Sequence, residues 1–340
     1  MTASTTPPEL QRHENNNSDL RVLMSRRFRA VAPHTMLVIL IVEVLGFSVL
    51  SPDEFFTSAN FRTTLSAQAV LGILTVALLM PLIAGEFDVS LAMVFTTTMV
   101  VAAELEVHQA WPLWLAALVA LLLAAVIGIL TGAIVVFTRA DSLVVTLGTM
   151  TLLRGFTEAI TKGETTTITG GGREILRKLT SPVPLGIPLP VFYLVLVAAV
   201  VWFVTEQTPV GRYLYAVGGS AEGARLAGLK TDWLRIGAFG AGGLLSGLAG
   251  LLQLAKSTTA GANIGAGFLF PALAAAFLGA ASFRLASFNV RGSLVAILLL
   301  AVGVTGLRMS GAPLWIDGVF NGAALILAVA VVRFTRGRDL

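Results

Sequence analysis

Between Pro112 and Phe137 the chain runs for 26 residues without a charged side chain. As a helix that run is about 39 Å long, enough to cross about 30 Å of hydrocarbon with some tilt. A water-soluble domain could not bury such a surface on all sides at several places in one chain, and this chain repeats the pattern. Its residues are 56% hydrophobic and only 12% charged, with a mean hydropathy of +0.85, where soluble proteins carry about 25% charge. Lipid offers no partner for backbone N–H and C=O groups, so spanning segments must be helices or a closed barrel, and runs of this length select helices. The fold class is therefore all-α: a polytopic membrane protein of about ten membrane-embedded helices, some of them short or broken, with one short cytoplasmic helix.

The ten segments are Val31–Leu50, Thr63–Ala84, Leu91–Ala103, Pro112–Phe137, Ser142–Thr161, Leu189–Thr205, Leu234–Ala255, Phe268–Phe283, Gly292–Leu307 and Ala312–Val332. They make residues 31–332 a transmembrane domain between a flexible N-terminal tail, 1–30, and a C-terminal tail, 333–340. The first tail is rich in Pro, Asn, Ser and Arg and lacks the apolar core and small-residue cleavage site of a signal peptide. With the N-terminus in the cytoplasm, 15 of the 23 Lys and Arg residues fall on the cytoplasmic side and 7 on the other, with Arg154 embedded. That bias follows the positive-inside rule, and it places both tails and residues 211–228 in the cytoplasm. It also accounts for the net charge of +4 without nucleic acid.

The polar island between the sixth and seventh segments reads GRYLYAVGGSAEGARLAG, from Gly211 to Gly228. Ser220 can cap a helix beginning at Ala221, Glu222 sits in its first turn where the dipole favours a carboxylate, and Gly228 supplies a stop. This gives a helix of about two turns outside the bilayer, tethered at both ends to spanning helices. The stretch resembles the cytoplasmic coupling loop of ribose-type ABC transporter permease subunits, which usually reads GRYIYAIGGNEEAARLSGI. Gly223 departs from the alanine usual there and lowers helix propensity by about 1 kcal/mol. The resemblance assigns Glu222, Gly223, Ala224, Arg225, Leu226, Ala227 and Gly228 to coupling with an ATPase.

Two further motifs resemble the same family. Gly85-Glu86-Phe87-Asp88-Val89-Ser90, a tight acidic break between two apolar runs, is similar to GGIDLSVG, with Glu86 in place of Gly. Asp88 and Ser90 can cap the following helix and aim its N-terminal amides at a pathway, or Asp88 is only a cap. On the family pattern, Glu86→Gly is expected to be tolerated. Val145-Thr146-Leu147-Gly148-Thr149 resembles ATLGT. From these motifs Glu86, Asp88, Ser90, Thr146 and Thr149 are the translocation-pathway candidates. Arg154 and Glu158, four apart on one helix face, read as a mutually neutralising pair or as functional groups. Glu43 and Asp317 raise the same alternatives, and Asn321 shares a face with Asp317. Gly128-x-x-x-Gly132, Gly243-x-x-x-Gly247 and Ser246-x-x-x-Gly250 read as close helix packing in the core, with a dimer interface as the alternative. The external loop 162–188 reads either as a docking site for a binding protein or as a mobile connector.

With no cysteine and only His13, His34 and His108, the chain offers no thiolate or histidine metal site. It has no Walker A motif, so no cofactor is expected in this chain; the resemblance implies ATP and Mg on a partner subunit. The resemblance implies a permease subunit, not an enzyme, of an importer for a sugar or related small polar solute in the bacterial inner membrane. It also implies an ATP-binding subunit, a periplasmic or lipid-anchored substrate-binding protein, a second permease copy in a homodimer or heterodimer, and surrounding lipid as partners. An ion-coupled secondary transporter using Glu43, Glu158 and Asp317 is the alternative. An intramembrane enzyme is disfavoured, since no Ser/His pair or paired-carboxylate motif stands out.

Overall fold

The computed structural model describes residues 35–181, 186–282 and 287–336. The N-terminal tail 1–30 and the tail residues 337–340 lie outside the described residues. The chain is helical almost throughout: α1 (Thr35–Leu50), α2 (Pro52–Phe55), α3 (Ser58–Ile83), α4 (Leu91–Val107), α5 (Leu113–Thr138), α6 (Ser142–Thr161), α7 (Gly170–Thr180), α8 (Leu189–Gln207), α9 (Pro209–Gly219), α10 (Ala221–Leu226), α11 (Thr231–Ser257), α12 (Ala266–Ala280), α13 (Val290–Met309) and α14 (Ile316–Arg336). Six of these, α3, α5, α6, α8, α11 and α13, are long and apolar enough to cross a membrane, and α1, α12 and α14 are shorter apolar helices.

The core forms around α3. From Ala69 to Ile83 every residue of this helix is buried, as expected of a helix that is apolar all round. α11 and α8 pack directly on it, and α11 meets α5 and α4 through its glycines. A Cβ on Gly243 would lie 2.5 Å from the Ala124 carbonyl of α5, and one on Gly250 would lie 2.4 Å from the Phe95 carbonyl of α4. Ser246, between them, donates to the Leu91 carbonyl at 2.6 Å. The small-residue spacing thus serves internal packing within one chain. α5, α6 and α8 form the outside of the bundle, with about a fifth of their apolar windows buried against 83% for α3.

Contacts sort the helix ends into two faces. The C-terminus of α3, the N-termini of α4, α6, α11 and α13, and the whole of α9 and α10 gather at one end. At the opposite end, Thr166–Thr167 pairs antiparallel with Thr259–Ala260 as a two-stranded ribbon, β1 and β2. There Lys256 Nζ donates to the Ser66 carbonyl at 2.7 Å, and Tyr193 donates to the Leu179 carbonyl at 3.2 Å. Exposed Trp114 and Trp315 stand at this ribbon end, while exposed Trp233 stands at the α10 end, the two levels where aromatic belts sit in membrane proteins.

Within the bundle α4, about 26 Å, and α12, about 22 Å, fall short of a full crossing. After the ribbon the chain re-enters the bundle through residues 261–265. The N–H of Gly265 donates to Thr96 Oγ1 at 2.9 Å, so α12 begins well inside, one turn or so along α4. Irregular backbone at that depth is tolerated because protein encloses it and satisfies its donor.

Candidate functional site

The break between α3 and α4 is held from both of its ends and by neighbouring helices. α3 closes with Gly85 at φ +83°, the Gly85 N–H donating to Leu82 O at 3.1 Å and the Glu86 N–H to Pro81 O at 2.9 Å. These two bonds and the left-handed glycine form a Schellman stop. On the other side Asp88 Oδ1 accepts from the Ser90 N–H at 2.9 Å and from its hydroxyl at 2.6 Å. The carboxylate therefore sits at the start of α4, where the helix dipole favours it. Asp88 and Ser90 are each only 1% exposed, and Asp88 Oδ2 has no hydrogen-bond partner among the described residues.

Helix α6 fastens the middle of the break. Ser142 Oγ accepts from the Phe87 N–H at 3.0 Å. Thr146 Oγ1 donates to the Phe87 carbonyl at 3.2 Å and accepts from the Val89 N–H at 3.4 Å. One fully buried threonine thus ties both sides of Asp88 to a different helix. Thr149, one turn on, is half-buried and donates back to Val145 O at 3.1 Å. Of the five pathway candidates the structure brings Glu86, Asp88, Ser90 and Thr146 together and leaves Thr149 on the adjoining turn. Sequence reading missed Ser142, Gly218 and Arg235 as partners of this break. Arg235 counted only as one positive charge among many.

The polar island folds as two helices rather than one. Pro209 starts α9, which buries Gly211, Leu214 and Val217 along one side and donates from the Tyr215 hydroxyl to the Phe288 carbonyl at 2.8 Å. Gly211 and Gly218 are sites of close approach. A Cβ on Gly211 would lie 2.0 Å from Thr205 O, and one on Gly218 would lie 2.1 Å from Ile83 O. Gly218 is thus the condition for α9 to reach the end of α3, and Gly211 for it to fold back against the end of α8.

Ser220 then caps α10, its Oγ accepting from the Gly223 N–H at 3.1 Å. Gly228, at φ +83°, ends it with a second Schellman stop, donating to Arg225 O at 2.9 Å while Leu229 donates to Ala224 O at 3.0 Å. Within 222–228, Ala224 alone is buried. Glu222 and Arg225 pair with each other at 2.8 Å in the open. Leu226 is 81% exposed, an apolar side chain with no partner of its own within the described bundle.

Two of the remaining embedded carboxylates, Glu158 and Asp317, are paired with arginines. Arg154 Nε meets Glu158 Oε1 at 3.0 Å, both exposed on α6. Asp317 on α14 meets Arg308 on α13, and Asn321 donates to the Asp317 carbonyl at 2.8 Å. Glu43 Oε2 is buried without a hydrogen-bond partner among the described residues. No cluster of three potential metal ligands occurs among the described residues.

Residues 60–329 match the family described as the permease component of the branched-chain amino acid transport system. The chain is 31% identical over 296 residues to the ribose import permease protein RbsC of Escherichia coli K12, covering 87% of this chain and 92% of that protein. It is 29% identical over 293 residues to RbsC of Haemophilus influenzae, covering 86% and 90%. To the autoinducer 2 import system permease protein LsrD of Klebsiella pneumoniae it is 29% identical over 297 residues, covering 86% and 89%. Three transported species appear in these descriptions, so membership speaks to architecture and transport rather than to one solute. Nearly the full length of the relatives is matched, the bundle and its motifs included, and the chain belongs to the ribose-type ABC transporter permease family.

Proposed function

We propose that this chain is the membrane-spanning permease subunit of an ABC importer, carrying a sugar or related small polar solute by alternating access driven by ATP hydrolysis on a partner subunit. In this reading ten helices are embedded, α1, α3, α4, α5, α6, α8 and α11 to α14. Both termini and the α9–α10 stretch lie in the cytoplasm of a bacterial cell, with α10 against the ATP-binding subunit. The ribbon end faces a periplasmic or lipid-anchored binding protein. ATP and Mg belong to the partner, and the chain itself carries no covalent step.

The single observation that carries the reading is α10. A short helix capped at both ends, with its charges paired and Leu226 held out, has the form of a docking element, since an apolar side chain in a partner's groove is what anchors such contacts. α9 connects it to the break at Gly85–Ser90, and we place Glu86, Asp88, Ser90, Thr146 and Thr149 around the cytoplasmic end of the pathway. α6 turns Thr151, Arg154 and Glu158 outward. Ionisable groups in spanning helices face a bundle interior or a water-filled cavity, so α6 faces the pathway and a second permease copy. Pairing of Glu158 and Asp317 with arginines leaves an ion-coupled carrier fewer free carboxylates.

The test uses the assembled complex in liposomes. Glu222→Ala and Leu226→Ala, singly and together, should lower the solute carried per ATP hydrolysed, most in the double variant. A double variant that assembles and couples like the wild type overturns the assignment of α10. Uptake that needs no ATP and collapses with an uncoupler would replace the ABC reading with the ion-coupled one.

A further inference from the structure

One contact in the described bundle joins the break to the start of α11 by charge. Arg235 Nε lies 2.6 Å from Glu86 Oε1, across 149 residues of sequence, with the two side chains only 22% and 10% exposed. The pair stands where four elements converge. Gly85, the residue before Glu86, crosses Gly218 so closely that a Cβ on Gly85 would lie 3.1 Å from the Gly218 Cα. Ser142 and Thr146 of α6 hold Phe87, the residue after it. α10 is flanked by the same node: α9 enters it at Ser220, and α11 leaves it at Thr231, one helical turn before Arg235.

We propose that Glu86 and Arg235 form a strut that makes the break and the α11 N-terminus move as one body with the coupling helix, so that displacement of α10 reaches the α3–α4 break instead of being absorbed at the joints of α9 and α11. This rests on the coupling reading above. The contact with Gly218 is steric and can only push. The ion pair resists separation, so together they transmit motion in both directions. A short, largely dry ion pair is suited to this, because low local dielectric strengthens it and its removal leaves a charge facing a closed site. The geometry also reverses the expectation that Glu86→Gly is tolerated. Glycine matches the family pattern, but in this chain it would strand Arg235.

The experiment measures solute carried per ATP hydrolysed, together with thermal stability, in the purified complex in liposomes. Glu86→Gln and Arg235→Gln should each lower the ratio about tenfold, within the range seen for residues on a coupling route. The exchange Glu86→Arg with Arg235→Glu should recover most of it. If the Gln variants melt earlier but keep the wild-type ratio, the pair is only structural and the proposal fails. A second arm exploits the absence of native cysteine. Glu86→Cys with Arg235→Cys should uncouple when reduced and regain coupling when a short thiol crosslinker replaces the ion pair. A crosslinked complex that stays uncoupled, or that stalls, overturns the strut. The wild-type complex run alongside separates the two readings: if it shows no ATP-driven uptake, the permease reading falls; if it couples and the variants do too, only the strut falls.

Discussion

On the proposed reading, Asp88 serves both as a cap and as a support for the pathway. Its Oδ1 takes both the N–H and the hydroxyl of Ser90 in a site from which water is excluded. Truncation to alanine leaves two buried donors without that acceptor, at a cost of about 1–3 kcal/mol. Asp88→Ala should therefore lower the thermal midpoint of the detergent-solubilised chain, and Asp88→Asn, which keeps a carbonyl acceptor, should lower it less. Because Asp88 holds the residue that leads into α4, transport should fall further than the loss of stability accounts for. A variant that is destabilised yet transports in proportion to its folded fraction would reduce Asp88 to a cap. Ser220 sets a similar test outside the bundle, where removal of a serine cap costs about 1 kcal/mol. Ser220→Ala should fray α10 without disturbing the core, read as faster amide exchange at 221–224 and weaker coupling.

At the level of elements, α11 depends on having no side chains where it meets its neighbours. Gly250→Ala puts a methyl 2.4 Å from a backbone carbonyl that cannot rotate away, so α4 and α11 must separate. Overpacking of this kind costs about 1–3 kcal/mol, and the variant should express poorly and melt early, whereas Gly148→Ala, with open space around it, should not. The helices themselves were legible from hydropathy. Ser142–Thr161 coincides with α6, and the other segments differ from their helices by up to five residues at an end. What escaped was helix in glycine-rich polar stretches. Gly170-Gly171-Gly172 read as a loop, yet it forms the first turn of α7, where a Cβ on Gly172 would meet Glu106 Oε1 at 2.3 Å. α9 escaped for the same reason, since Gly211 and Gly218 lower local propensity while permitting the tertiary contacts that outweigh it. The break itself was visible at Gly85–Ser90, but its partners were not, because Ser142, Gly218 and Arg235 come from three different segments and none stands in a spacing that points to Glu86.

For the whole molecule the decisive question is which end faces the ATPase, because the same bundle inverted would present α10 to a binding protein. The structure sets Ser220 and Thr167 at opposite ends, both exposed: Ser220 caps α10, and Thr167 lies in the β1–β2 ribbon against Thr259. Intervening α6 and α8 are each about 30 Å long at their length, so no rearrangement short of unfolding brings both sites to one side of a bilayer. The charge distribution, 15 basic residues against 7, favours α10 inside, since basic loops are retained on the cytoplasmic side. Because the chain contains no native cysteine, Ser220→Cys and Thr167→Cys give single reporters with nothing to remove first. Thr167→Cys should react with an impermeant maleimide on intact spheroplasts, and Ser220→Cys should react only after the membrane is opened. Reaction of Ser220→Cys from outside would invert the bundle, take α10 out of reach of any cytoplasmic ATPase and with it remove the permease mechanism, strut included.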